Sequence, residues 1–581
     1  MDEQRISGII QRIATGDVSR RTFLKRLSAI GVGVPVVSAL LAACGGSNNS
    51  TPTLAATSGS SSGGSSPTPT TAITVNQNAS PSAAASSAAT TAASGKSGGT
   101  VTFTRSIDST SCDPTLWHNP DIWPFLNVYQ PLVSVDDKGL EITPSIAEKW
   151  DVAADGLTYT FHIRSGVKFG DGSDMTVDDI KWTLERAKAD ERGGWNFTLM
   201  QAKDISAPDS STIVITLTGA WAPFLSDISM FNSSIISKAF FDKNGGDDYL
   251  ASHCMGTGPF VLKEWKKAES VTLTKNQYYW ESGLPYLDEI VLKQVPDTNS
   301  QILQLQGGET HGIIGQNDVP FNRVPDLEKD PKLQVMKFTS TYNNFVVLNC
   351  RNAPLDDPML RQALNYATDK DSLIQTLLFG NAEVSNSFMP NGMLFWNPDQ
   401  EPYTFDLDKA KEVLAKSKSP DGAKISMVVS SGNEQQSQIA TALKSMWTKI
   451  NVELEIQQMD SAVSRDNYLH NQFETNLSGW TNDIIDPDEL VSYAILPESN
   501  ENYHTGWTNQ QAIDLAHQAQ TELDPDKRRQ LYYQVQQIHK DDAPFVYLYV
   551  IPYVDVLASA VQGYFHHPMG QYVFKNTYLE S

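Results

Sequence analysis

The chain has 581 residues, of which 19% are charged, and a formal net charge of −23. A protein that grips phosphates presents at least one basic face, so this balance excludes nucleic acid as the expected partner. The length predicts several domains.

The first element in chain order is an address. Ser19-Arg20-Arg21-Thr22-Phe23-Leu24-Lys25 precedes an apolar run from Leu27 to Ala43 that is broken by Ser28, Gly31, Gly33, Pro35 and Ser38. That run falls short of the roughly 20 residues needed to span a bilayer, and has the make-up of a signal-peptide core. The Arg20-Arg21 segment resembles a twin-arginine export signal. Leu41-Ala42-Ala43-Cys44 resembles a bacterial lipobox, so residues 1–44 are expected to be a signal with Cys44 as the lipidated residue.

Residues 45–99 consist almost wholly of Gly, Ser, Thr, Ala, Pro and Asn. Such a composition buries too little apolar surface to offset its ordering entropy and is expected to be a disordered tether. Gly95-Lys96-Ser97 matches only the tail of a phosphate-loop signature: Thr90 stands where its first glycine is required.

From Thr100 the chain reads as globular. Leu157, Tyr159, Phe161 and Ile163 alternate with Thr158, Thr160, His162 and Arg164, the period of a half-buried strand. Thr176-Val177-Asp178-Asp179 is a capping box for a helix whose apolar positions are Ile180, Leu184 and Ala187. Asp357-Pro358 starts a second helix through Leu360, Ala363, Leu364 and Ala367, and another follows Asp369 and stops at Gly380. Ile425–Val429 as strand, Gln435–Ile450 as helix and Val452–Ile456 as strand make a unit of α/β type.

Four blocks carry a family resemblance: ITPSIAEKWDVAADGLTYTFHIRSGVKFGDGSDMTVDDIKW, GTGPFVLKEWKKAESVTLTKNQYYW, LPYLDEIVLKQVPD and APLDDPMLRQALNYATDKDSLI. They resemble, in order, the signature blocks of the family 5 extracellular solute-binding proteins, the oligopeptide and dipeptide receptors of ABC importers. The resemblance implies an α/β fold: a periplasmic-binding-protein-like clamshell of type II, in its large three-domain form, with discontinuous domains. It implies domain I from 99–142, 258–345 and 541–581, domain II from 143–257, and domain III from 346–540. Domains I and III would close over ligand about a hinge. The partners implied are a permease and its ATPase, with the monomeric protein held to the outer face of the bacterial cytoplasmic membrane by its lipid. No cofactor is expected.

A receptor for varied peptides grips the backbone and the charged ends, which all peptides share. The stretch Gly479-Trp480-Thr481-Asn482-Asp483-Ile484-Ile485-Asp486-Pro487-Asp488 is similar to the family's block in which an aspartate meets the ligand ammonium. By position that aspartate is Asp483, and the backbone-pairing residues are Gly479 and Thr481, with Trp480 between them. Asn482 and Ile484 depart from the small and aromatic residues usual there. The alternative for both Asp483 and Asp486 is that they cap the turn or helix entering at Pro487, and for Asp486 that is the expected role. Trp123, Tyr342 and Trp396 border the cleft in the family and are candidate ligand surfaces, with Asn344 beside the crossing between domains.

Other readings of the same scaffold are a receptor for an oligosaccharide, opine or metal complex, a ligand sensor or chaperone without transport, and, last, a hydrolase. His253-Cys254 and His566-His567 lack metal-ligand spacing, and no nucleophile elbow occurs in the folded part. Lipidation of Cys44 leaves Cys112, Cys254 and Cys350 in an oxidising compartment. Cys350 ends an apolar strand and is expected to be free, which leaves Cys112 and Cys254 as the expected bridge.

Overall fold

The computed structural model describes residues 97–497, 499 and 501–580, which fall within one compact unit. Arg20, Arg21, Cys44 and nearly all of the 45–99 tether lie outside the described residues.

Three sheets organise the fold. The first has seven strands, with Thr100–Arg105 at its centre, parallel to both Glu289–Gln294 and Gly312–Ile313. Tyr553–Ala558 pairs with Leu333–Phe338 on one flank, and the Phe260–Lys266 and Ser270–Lys275 hairpin closes the other. Its core buries Phe103, Trp117, Phe125 and Phe260 completely, each side chain worth about 1.5–3 kcal/mol relative to exposure.

The second sheet, of six strands, runs in the order Glu383–Val384, Phe545–Val550, Asn343–Leu348, Thr475–Trp480, Ala423–Ser430, Val452–Met459. Its last two strands are parallel and are joined by the helix Glu434–Trp447. Asn433 caps that helix by accepting the Gln436 amide at 3.0 Å. Trp447 closes it, buried, with its indole N–H on Thr368 Oγ1 at 3.0 Å. The third sheet is a four-stranded antiparallel insert, Ala147–Val152, Thr158–Ile163, Thr212–Leu217 and Ala202–Asp209. As the alternation predicts, Tyr159, Phe161 and Ile163 face its core, under the helix Val177–Ala189 with its Thr176–Asp179 capping box.

The chain crosses between the two large sheets twice, between Phe338 and Asn343 and between Val550 and Tyr553. The crossings are tied together: the Ile551 amide donates to the Tyr342 carbonyl at 3.2 Å, and the Ser340 hydroxyl donates to the Ile551 carbonyl. A two-stranded connection of this kind is a hinge, because few backbone angles need change for one lobe to rotate against the other. Asn343–Leu348, which starts three residues before 346, lies wholly in the second sheet. Phe545–Val550, beyond 540, pairs with Asn343–Leu348 and not with the first sheet. All six residues of Phe545–Val550 are buried, so its apolarity could not show which sheet it joins.

Cys112, Cys254 and Cys350 are free thiols, and the bridge expected between Cys112 and Cys254 is not formed. The two nevertheless lie against one another, their segments joined by the Cys112 amide to the Ala251 carbonyl at 3.0 Å. Burial pushes the Cys112 thiol well up, the neighbouring Cys254 adding to it, and a thiol held protonated is slow in disulfide chemistry.

Candidate functional site: a cleft along an open strand edge

The strand Thr475–Trp480 pairs antiparallel with Asn343–Leu348 along its length, but with Ala423–Ser430 only at Thr475 and Asn476. The Asn349 amide donates to the Glu474 carbonyl at 2.9 Å. At the other end, in the same register, the Asn482 amide donates to Thr341 Oγ1 at 3.0 Å. Even-numbered residues of this segment therefore turn their main-chain groups toward Asn343–Leu348. The alternation of an extended strand sends those of Gly479 and Thr481 to the opposite, open edge.

Gly479 has a packing reason. A Cβ there would stand 2.8 Å from Tyr342 Cε2 and 3.0 Å from the Asn343 carbonyl, so the Tyr342 ring lies directly on the backbone. Asn344, on the same face, donates to the Tyr342 carbonyl at 3.3 Å.

Beyond the strand the chain bends around Glu489, from the first turn of the helix Asp488–Ile495. One Glu489 oxygen accepts the Trp480 indole at 2.8 Å; the other accepts the amides of Asp483 at 2.9 Å and Ile484 at 3.1 Å. A second carboxylate holds the loop's far side. Asp486 takes both guanidinium nitrogens of Arg528 in a buried bidentate pair, one contact at 2.7 Å. Asp486 also accepts the Asp488 amide at 2.9 Å, the expected cap, and its own amide donates to Ser226 Oγ of the inserted domain at 3.0 Å.

Asp483 is thereby held half-buried at the cleft wall, with no hydrogen-bond or ion-pair partner for its carboxylate among the described residues. Burial raises its pKa well above the ordinary carboxylate value, and the charge of Glu489 adds to the rise. Burial also pushes Glu489 up to about 7, against the pull of its three N–H donors. Those donors favour the ionised form of Glu489, whereas no donor offsets the burial of Asp483.

Two cavities meet at Asp483. One, of about 430 Å³, runs along the strand edge, lined by Tyr342, Gly479, Trp480, Thr481 and Arg465 from one lobe and His118, Trp195 and Gln316 opposite. The other, of about 450 Å³, lies between the first lobe and the insert.

Of the candidate residues, Asp483, Trp480, Thr481, Gly479 and Tyr342 line the strand-edge cavity. Asn344 is not in its lining but is bonded to the carbonyl of Tyr342, which is. Trp123 does not reach either cavity: it is 4% exposed and packs edge-on against Tyr553, His566 and Tyr572 in the first core. Trp396 packs against the core of the third domain, away from both. His566 and His567 are taken up by structural bonds, to Asp555 Oδ2 and to the Asp136 carbonyl, each at 2.8 Å. His253 stacks on Tyr249. Sequence reasoning missed Glu489 and Arg528, whose roles come from partners distant in the chain, and His118, Trp195 and Arg465, which carry no local signal.

Two lobes joined by a double-stranded hinge, with an unpaired strand edge and an unneutralised carboxylate between them, define a clamshell ligand receptor. Residues 141–502 match the bacterial extracellular solute-binding proteins, family 5 Middle, and the chain belongs to that family. The dipeptide-binding protein of Escherichia coli (strain K12) is 28% identical over 481 residues, covering 78% of this chain and 89% of that protein. The ABC transporter-associated periplasmic binding protein DppA from Helicobacter pylori, solved in complex with the peptide STSA, is 30% identical with a TM-score of 0.71, over 84% of this chain and 99% of that one. NikA from Brucella suis, solved in complex with Fe(III)-EDTA, shares the fold at a TM-score of 0.76 and 21% identity, over 83% and 100%. These relatives are binding proteins, and this chain is a solute-binding protein of the same kind.

Proposed function

We propose that the chain captures short peptides with a free amino terminus and delivers them to the permease and ATPase of an ABC importer. One observation carries this reading: the unpartnered carboxylate of Asp483 stands where the open edge at Gly479 and Thr481 ends. An extended peptide adds to such an edge through its backbone, without regard to its side chains, while its ammonium neutralises the carboxylate. The peptide held by the Helicobacter pylori relative and the name of the Escherichia coli relative support the same ligand class.

The N-terminal proposal follows the same role. Arg20-Arg21 routes export, and lipid on Cys44 keeps the monomeric receptor at the outer face of the cytoplasmic membrane, near its permease. Replacing both arginines by lysine should leave precursor in the cytoplasm; unchanged surface display would refute this.

Mass spectrometry of ligand released from the full chain, extracted in mild detergent without refolding, tests the ligand class. Peptides of mixed sequence are expected. A homogeneous sugar or opine would overturn the reading.

A further inference from the structure

Building on the peptide reading of the cleft, we propose that the second cavity selects ligands whose first side chain is cationic, of lysine or arginine type. Asp483 lines both cavities, so it forms the wall between the strand edge and this second chamber. A ligand whose ammonium sits at Asp483 and whose backbone follows Gly479 and Thr481 has its first side chain beside the second chamber.

The chamber's charges do not balance. Lys575, a cation in its wall, is committed to Glu281, with Nζ 3.0 and 3.3 Å from the two oxygens, and the Tyr279 hydroxyl donates to the same carboxylate at 2.6 Å. His567 uses both ring nitrogens: Nδ1 accepts the Met569 amide at 3.2 Å and Nε2 donates to the Asp136 carbonyl at 2.8 Å, which fixes the neutral ring. Arg164 lies behind the lining, stacked over Trp280 at 4.1 Å and donating through Nε to the Ser145 carbonyl at 3.3 Å. What remains is negative. Asp136 accepts the Leu140 and Glu141 amides at 2.7 and 2.9 Å, bonds that favour its carboxylate. Exposed Asp137 stands beside it, and the charge of Asp483, in the facing wall, is taken up by the ligand ammonium.

The walls suit the stem of such a side chain as well as its head. Ile122, Leu126 and Met230 supply apolar surface, and Trp280 an aromatic one. A long cationic side chain buries its methylenes along such surface and keeps its charge at the polar mouth. An acidic side chain there would find no lining cation that is not already paired with a carboxylate.

Calorimetry on the intact protein with lysyl-alanyl-alanine, norleucyl-alanyl-alanine and glutamyl-alanyl-alanine tests this. Norleucine keeps most of the lysine stem and lacks its charge. The lysyl peptide should bind at least about tenfold tighter than the norleucyl one, with the glutamyl peptide weakest. Asp137→Asn, at an exposed turn position, should narrow the lysyl-to-norleucyl ratio. Norleucyl binding as tight as lysyl, or a ratio unmoved by Asp137→Asn, would overturn the assignment and leave the peptide reading standing. Failure of all three peptides to bind would overturn both.

Discussion

The carboxylate of Glu489 accepts the main-chain amide of Asp483 at 2.9 Å, while its charge opposes ionisation of the Asp483 side chain. The same residue thus fixes the binding loop and adds to the burial that favours the protonated form of its anchor. That coupling has measurable consequences.

Binding should release a proton. Burial raises the pKa of unliganded Asp483 and so favours its protonated form, whereas the complex with an ammonium group needs the carboxylate. Calorimetry of one peptide in buffers of different ionisation enthalpy should show net proton release on binding near pH 7, and affinity should rise with pH until the ligand's own amine begins to deprotonate near about pH 8. Glu489→Gln removes the opposing charge and should reduce the proton count. An unchanged count would mean that the two carboxylates are not coupled.

Stability without ligand should run the opposite way. Asp483 is raised, and burial also raises Asp488 and Glu489, each to about 7. Between the unfolded carboxyl values, near about 4, and these raised ones, the folded chain holds protons that the unfolded chain has lost, so stability falls as pH rises through that window. The melting temperature of the unliganded protein should drop from pH 5.5 to pH 8, and Asp483→Asn should flatten the drop. Equal slopes for parent and variant would remove Asp483 from the linkage.

Arg528 is the second support of the loop. Arg528→Met leaves Asp486 buried without its partner, a loss that typically costs about 3–5 kcal/mol. Urea unfolding should show the deficit as a lower midpoint. A change below about 1 kcal/mol would place the pair among weak surface bridges instead.

Gly479 tests the strand edge. In Gly479→Ala the new methyl must displace the Tyr342 ring, which stands 2.8 Å away, a strain of about 1–3 kcal/mol. Peptide affinity should fall with little loss of fold. Parent-like affinity would show that ligand does not approach this backbone.

Much of this was legible in sequence where the cause is local. The caps at Thr176, Asp357 and Asp369 lie within a few residues of the helices they start, and the alternation at Tyr159, Phe161 and Ile163 reports its own sheet face. The place of Asp483 beside the strand edge was legible through its block. Its control was not: Arg528 meets Asp486 across 42 positions, and the role of Glu489 depends on a bend that no periodicity reveals. Trp123 shows the reverse failure. A tryptophan near a cleft in sequence is as ready to fill a core, and here Tyr553, His566 and Tyr572 enclose it.

The anchor itself decides the account. Asp483→Asn keeps the shape and hydrogen-bonding capacity of the side chain and deletes its charge, so the ligand ammonium would be enclosed uncompensated. Titration calorimetry of one tripeptide against parent and variant should show at least about a hundredfold weaker binding, roughly 3 kcal/mol. The N-acetylated peptide should lose as much against the parent and no more against the variant. Equal affinity of Asp483→Asn and the parent for the free peptide would contradict the account and return Asp483 to the role of a turn residue.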